Sequence, residues 1–290
     1  MSEYVTLVSN VKCVSQYGKN TIAEFKTQLG RKFSLVGDWV VGVAEVSYTK
    51  SWYNVLFPHK IILFDEMGTV YNNENFTETN DILNTSDELH ISSGYYESAR
   101  KLVDEINIVL GKITTIIAPK LEYNELNNTV TVMPGLIDNA IKVYPFFGTE
   151  VENILGLKNR NMKNNYYSQV NQSSGIAAVV FKGDEMYKQN KFLAFHPVEI
   201  SGGYHSLFVY SDIVYPSYIG DTCTQILRVV EIPRKAKFGE QCVIKYENPQ
   251  YRRLLLNEFE SIEISIKDDS GELIPFKFGR VIITLHFKKL

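Results

Sequence analysis

Hydrophobic and polar residues alternate along the last third of the chain, and this period of two predicts half-buried β-strands. The clearest case is residues 261–276, SIEISIKDDSGELIPF, where Ile262, Ile264 and Ile266 alternate with polar residues. The following Asp268 and Asp269 precede Gly271, which predicts a turn whose carboxylates cap backbone N–H groups. Similar runs predict strands over residues 175–181, 206–215, 224–232, 241–247 and 280–287.

The early part of the chain also predicts strands, over residues 4–10 and 39–46, and a hairpin over 59–73. Residues 39–55, WVVGVAEVSYTKSWYNV, contain both tryptophans and a nearly continuous apolar run. Such a run is typical of a strand that is covered on both faces. Residues 22–29, IAEFKTQL, fit a helix and a strand equally well.

The spacing of apolar residues changes in the middle of the chain. Residues 95–111 place apolar side chains three and four positions apart, which predicts a helix that ends at Gly111. A hairpin over 120–135, a strand over 141–147 and a second helix over 149–157 follow, with Thr149 and Glu152 spaced as a capping box. Residues 72–92 predict a polar linker, and residues 158–175 an exposed loop.

These elements predict a mainly β protein: a jelly-roll β-sandwich with an inserted α+β module. Neither block of strands is large enough to close a sandwich alone, so pairing them is the economical solution. The predicted boundaries are 1–84 for the first strands, 85–165 for the module and 166–290 for the remaining strands. The 18 Tyr and 16 Phe also favour sheets.

Charge and cysteine content narrow the class of protein. The 30 Lys and Arg against 33 Asp and Glu give a net charge of -3, so no specific nucleic-acid binding is expected. Cys13, Cys223 and Cys242 are few and widely spaced, which argues against a secreted disulfide framework and favours folding inside a cell with reduced thiols. The first 20 residues lack a signal-peptide core, and no apolar stretch is long enough for a membrane span.

Motifs for chemistry are absent from the sequence. It contains no phosphate-binding glycine loop and no GxSxG nucleophile elbow, and its five histidines do not stand at metal-ligand spacing. We therefore expect no catalytic residues, no cofactor and no metal, and interpret the protein as structural rather than enzymatic.

The candidate assembly contacts are Trp39, Glu45, Tyr48, Trp52 and Tyr53. The aromatic residues suit core and interface packing, and Glu45 suits pairing with a cation or a hydroxyl. A lectin-like or receptor-binding sandwich that uses Tyr48, Trp52 and Tyr53, or the inserted module, is the alternative. A glycosidase built on a jelly roll is the third hypothesis, and it requires two carboxylates in a cleft.

Three blocks occur in the order SWYNV (51–55), VYSDIVYPSYIGDTCTQILRVVEI (209–232) and FESIEISIKDDSGELIPFKFGRVIITLHF (259–287). In this order they resemble the minor capsid, or penton-base, proteins of Polinton (Maverick) elements and related adintoviruses. GDWVVGVAEVSY (37–48), GYYESARKLVDEINIVL (94–110) and VENILGL (151–157) resemble the same family. The resemblance implies a jelly-roll homopentamer at the virion vertices, among double-jelly-roll major capsid proteins.

Overall fold

The structure is a computed structural model that describes residues 2–9, 20–65, 70–71, 89–113, 117–137, 141–157 and 191–290. The strand predicted over 175–181, most of the polar linker, the loop from 158 and Cys13 lie outside these residues. The elements are β1 (Ser2–Val8), β2 (Glu24–Ser34), β3 (Trp39–Thr49), β4 (His59–Lys60), β5 (Ile62–Asp65), β6 (Val70–Tyr71), β7 (His90–Ile91), α1 (Ala99–Leu110), β8 (Lys120–Asn124), β9 (Thr129–Met133), β10 (Gly135–Ile137), β11 (Ile141–Phe146), α2 (Thr149–Ile154), β12 (Phe192–Leu193), β13 (Ser206–Ser211), β14 (Ser217–Ile219), β15 (Thr222–Thr224), β16 (Ile226–Glu231), β17 (Gln241–Lys245), β18 (Arg252–Arg253), β19 (Glu258–Lys267) and β20 (Val281–Lys289).

The chain divides into two compact units. The sandwich unit contains residues 1–52 and 204–290, and the inserted unit contains residues 53–203. Each unit has its own hydrophobic core. In the described part of the chain, no helix is long and apolar enough to cross a lipid bilayer.

The sandwich unit is a jelly roll. The first sheet has the order β1-β20-β3-β17, with β18 also pairing with β3, and the second sheet has the order β16-β13-β19-β2. Without β18, the sandwich has eight strands. When these eight are counted in chain order, the first, eighth, third and sixth form one sheet. The fifth, fourth, seventh and second form the other. This is the jelly-roll order, so strands from both ends of the chain do share one sandwich.

Alternation explains how the two sheets share a core. Ile262, Ile264 and Ile266 of β19 are fully buried, while the serine and glutamate residues between them are partly exposed. Ile283 and Leu285 of β20 are buried from the other sheet. Because successive side chains of a strand point to opposite faces, each strand gives one face to the core. The predicted period of two is therefore confirmed for this block.

Strand β3 crosses the centre of the first sheet and carries a β-bulge. Its pairing with β20 shifts register, so that Thr284 pairs with Glu45 whereas Leu285 pairs with Val43. The extra residue is Ala44, and it changes which positions face the core: Val41 and Val43 before the bulge, but Val46 and Tyr48 after it. The outer face is covered locally by the chain's own residues, since Pro249 and Tyr251 lie against Gly42.

The inserted unit begins earlier and ends later than the predicted module, so the boundaries at 84, 85, 165 and 166 are wrong. Strand β5 pairs with β11, β4 with β7, and β12 with β9, all inside this unit. The predicted hairpin at 59–73 therefore does not belong to the jelly roll. The hydrophobic pattern predicts that a segment is a strand, but the backbone pairing that decides its sheet is a non-local property.

The two helices of the inserted unit begin differently from one another. Ser98 caps α1, and its side chain accepts a hydrogen bond from the Lys101 backbone N–H. Leu102, Val103 and Ile106 form the buried face of α1. The predicted capping role of Thr149 is wrong, because α2 begins after Gly148 and makes no side-chain cap.

Residues 22–29, whose sequence fits a helix and a strand equally well, are mostly strand in the structure, because residues 24–29 belong to β2.

Candidate assembly surfaces

Three predicted interface residues, Trp39, Tyr48 and Trp52, lie in the core of the sandwich unit. Tyr48 and Trp52 stack with ring centroids 6.1 Å apart, and Phe276 packs edge-on against Trp52 at 5.5 Å. Burial raises the pKa of the Tyr48 hydroxyl. Since these side chains are covered by their own chain, they cannot contact another subunit, and the prediction is corrected for them. Buried rings also cannot stack on a sugar.

Glu45 lies on the outer face of the first sheet because of the bulge at Ala44. Its carboxylate is 3.7 Å from the Lys245 ammonium on neighbouring strand β17. The side chain of Glu45 is 38% exposed, so the pair is open to solvent and contributes little to stability. The predicted pairing of Glu45 with a cation is confirmed. Its role in an assembly contact, like that of the half-buried Tyr53 in the inserted unit, stays a prediction.

An aromatic row crosses the first sheet on its outer face. Tyr4 stacks on His286 with ring centroids 4.4 Å apart. The Tyr251 ring packs edge-on against the same imidazole ring, with ring centroids 5.8 Å apart. The Tyr251 hydroxyl lies 2.9 Å from His286 Nδ1. Directly opposite residues of antiparallel strands share a face, which is why Tyr4 and His286, paired across β1 and β20, come together.

Cations border this aromatic row at the end of the sheet. Lys288 and Arg253 both pair with Val40, from the two strands that flank β3 there. The Lys288 ammonium lies 5.7 Å from the centre of the Tyr251 ring. We call the surface formed by Tyr4, Tyr251, Arg253, His286 and Lys288 the aromatic–basic corner.

The second sheet carries a groove of about 650 Å³ on its outer face. Strands β13 and β19, the β14–β15 hairpin and the turn after β19 all contribute to it. Its charged lining residues are Asp212, Asp221, Glu263, Lys267 and Asp269. Four carboxylates against one ammonium group make the groove acidic, and we call it the acidic groove.

The acids of the groove differ in their contacts. The Asp212 carboxylate accepts a hydrogen bond of 2.9 Å from the Glu263 backbone N–H. Partial burial raises the pKa of Asp212, against the lowering effect of that hydrogen bond. Glu263 lies 3.7 Å from the Lys26 ammonium. Asp212 and Glu263 thus have contacts within the sandwich, whereas Asp221 and Asp269 have no ion-pair partner among the described residues.

None of the residues of these two surfaces was among the interface candidates predicted from the sequence. A signal for the corner was present, because the alternation in YVTLV (4–8) and VIITLHF (281–287) places Tyr4 and His286 opposite the core positions. That signal assigns each residue to a face, but it does not pair β1 with β20. The acidic groove brings together residues 210–225 and 263–271, and their proximity has no local signal.

Together, the strand order and the insertion define a single jelly roll that carries a second unit between its third and fourth strands. No protein-family model and no curated protein matches the chain. Among solved structures, it is similar to the crystal structure of the mavirus penton protein. The identity is 11%, each chain is covered over 100% of its length, and the TM-score is 0.48.

The chain is also similar to a chain in the cryo-EM structure of the Sputnik virophage. Here the identity is 13%, with 99% of this chain and 98% of the other covered, and the TM-score is 0.43. Because both TM-scores lie below 0.5, the jelly-roll assignment rests on the strand order of the chain itself.

Proposed function

We propose that this protein is a structural virion protein, a penton-base-like minor capsid protein that forms a homopentamer at the five-fold vertices of an icosahedral capsid. Its other partner in this role is a double-jelly-roll major capsid protein. The observation that carries the proposal is where the resembling sequence blocks fall in the jelly roll. Residues 209–232 contain the second half of β13 and all of β16, and residues 259–287 contain most of β19 and β20, together with the connections between each pair.

Placement on the sandwich matters because short motifs also occur by chance. Both blocks run continuously through paired strands: β13 pairs with β16 and with β19, and β20 pairs with β3. These two blocks therefore cover β20 at the centre of the first sheet and the central strands β13 and β19 of the second sheet, and not isolated surface loops. A jelly roll alone supports many functions, so the family resemblance supplies the functional part of the proposal.

The oligomeric state tests this proposal directly. We expect the purified protein to form particles of five times 33.2 kDa in mass photometry. Co-expression with the cognate major capsid protein should place it at the vertices of particles seen by cryo-electron microscopy. A protein that remains monomeric at micromolar concentration and is absent from the particles would contradict the proposal.

The lectin-like alternative retains only Tyr53 and the inserted unit, because Tyr48 and Trp52 are buried. Glycan-array binding by the purified protein, without assembly into particles, would favour it over the capsid role. For the glycosidase hypothesis, the acidic groove offers carboxylates. Asp212 is held by a backbone N–H and Glu263 lies beside Lys26, and these contacts support structural roles for both.

A further inference from the structure

We propose that the aromatic–basic corner of one copy docks into the acidic groove of a second copy, so that these two surfaces form part of the contact between neighbouring subunits. The inference rests on the proposed homo-oligomer and adds the surfaces that hold it together. The occupant of each surface is thus a second copy of this chain.

Charge complementarity is the first argument. Arg253 and Lys288 lie beside each other across Val40, and neither has a carboxylate partner among the described residues. Asp221 and Asp269 in the groove likewise lack a cation partner in the described part of the chain. Opposite charges placed across an interface guide encounter and fix the register of the contact.

The composition of the corner is the second argument. Tyr4 is 65% exposed although its ring is held by stacking on His286. Tyrosine and arginine are enriched at the centre of protein interfaces. Tyrosine brings a large contact area with few rotatable bonds, and arginine brings five hydrogen-bond donors in a planar group. The groove has a volume of about 650 Å³, comparable with the range of about 300–1,000 Å³ of small-molecule pockets, so it has room for side chains of a neighbouring copy.

The positions of the two surfaces also support the contact. The corner lies on the outer face of the first sheet, and the groove lies on the outer face of the second sheet. They are therefore on opposite sides of one sandwich, and a contact between them joins unlike surfaces. Such heterologous contacts build closed rings when the rotation between neighbours closes, which a pentamer requires.

Charge reversal tests the contact. The corner variant is Arg253→Glu with Lys288→Glu, and the groove variant is Asp221→Lys with Asp269→Lys. We expect each to weaken self-association by about tenfold or more, measured by mass photometry over a concentration series. A protein with all four substitutions should regain the wild-type oligomer, because its corner and groove are again complementary.

The matched control is Arg234→Glu with Lys235→Glu. These exposed residues lie in the connection between β16 and β17, and their reversal changes the net charge by the same amount as the corner variant. We expect this control to assemble as the wild type does. Circular dichroism and thermal unfolding of every variant should show a folded sandwich, so that loss of assembly is not loss of folding.

The outcomes separate this inference from the proposed function. A wild-type protein that remains monomeric and is absent from the co-expressed particles would contradict the proposed function itself. A wild-type oligomer that both reversals leave unchanged, or that the four-substitution protein fails to restore, would overturn the contact while leaving the capsid role intact. The contact is also overturned if the corner variant assembles normally but loses bound single-stranded nucleic acid, since aromatic and cationic side chains suit that ligand too.

Discussion

At the scale of single residues, the buried aromatic cluster around Trp52 anchors the end of the jelly roll from which the chain leaves for the inserted unit. Trp52 contacts Tyr48, Tyr204 and Phe276, with ring centroids 5.5 to 6.1 Å apart. Its side chain is among the largest that are fully buried. This residue therefore stabilises the fold of one chain, whatever the chain assembles with.

Truncation of Trp52 tests that role. Trp52→Ala should lower the free energy of unfolding by about 3–5 kcal/mol, because it removes a large buried side chain and leaves a cavity. Tyr218→Ala is the control: its side chain is 79% exposed, and we expect a change within about 0.5 kcal/mol. Urea denaturation measures both. Equal effects would contradict the core assignment of Trp52.

A second residue-scale prediction concerns Asp212 and pH. Because the folded-state pKa of Asp212 is raised, the folded protein binds the proton more tightly than the unfolded chain does. The contribution of Asp212 to stability therefore falls as pH rises from the ordinary aspartate pKa through the raised value. Asp212→Asn should remove this pH dependence while keeping an oxygen that accepts the Glu263 N–H.

The measurement compares urea denaturation of wild type and Asp212→Asn between pH 3 and pH 7. Asp212→Ala is the matched variant, since it loses both the charge and the acceptor. We expect it to cost about 1 kcal/mol more than Asp212→Asn, because the Glu263 N–H loses its partner. Identical pH profiles for wild type and Asp212→Asn would contradict the raised pKa.

At the scale of elements, the bulge in β3 decides which side chains the strand gives to the core. The segment WVVGVAEVSY contains apolar residues at both odd and even positions, so its pattern alone predicts a strand that is buried on both faces. The bulge at Ala44 instead switches the core positions from odd to even numbers. Ala44 also accepts a hydrogen bond from the Tyr246 backbone N–H, which ties the bulged strand to the chain beyond β17.

Single-residue deletions in β3 test the bulge. Deleting Ala44 leaves Val41, Val43, Val46 and Tyr48 on one face, because the switch and the extra residue disappear together. Deleting Ser47 instead turns either Val46 or Tyr48 away from the core. We expect the first variant to fold with reduced stability and the second to be insoluble or unfolded. Yields of soluble protein and thermal unfolding decide between them, and equal tolerance would contradict the bulge.

At the scale of the whole molecule, the two units each have a hydrophobic core. The ends of the inserted unit lie close together: a Cβ on Gly202 would be 3.1 Å from the Asn54 Cα, and Asn54 donates a hydrogen bond to the Ile200 carbonyl. In the sandwich unit, the rings of Trp52 and Tyr204 are 5.9 Å apart. A unit whose ends meet can be removed without breaking the strands that flank it.

This arrangement predicts that the units are separable. A short glycine–serine linker from Trp52 to Tyr204 should give a folded sandwich, and residues 53–203 expressed alone should also fold. Circular dichroism and the dispersion of amide signals in nuclear magnetic resonance spectra measure both. Failure of the linked sandwich to fold, while the full chain folds, would show that the jelly roll depends on the inserted unit.

Much of the β structure could be predicted from the sequence because it depends on local period. The alternation around Ile264 predicted a core strand, and the spacing in α1 predicted its helix. Asp268 was predicted to cap a turn, and its carboxylate does accept hydrogen bonds from the Ser270 and Glu272 N–H groups. The contact of Glu45 with a cation was predicted as well, although the partner, Lys245, was not.

By itself, the sequence determined the mainly β class and most strand positions, since both follow from side-chain period and turn residues. That early and late strands share one sandwich followed from the size of each block, because neither block has enough strands to close a sandwich alone. Only the tertiary structure decided the unit boundaries at residues 53 and 203, the burial of Trp39, Tyr48 and Trp52, and the two charged surfaces. These depend on which strands pair and where a bulge shifts the register. Such pairings join residues far apart in the chain, and local patterns do not encode them.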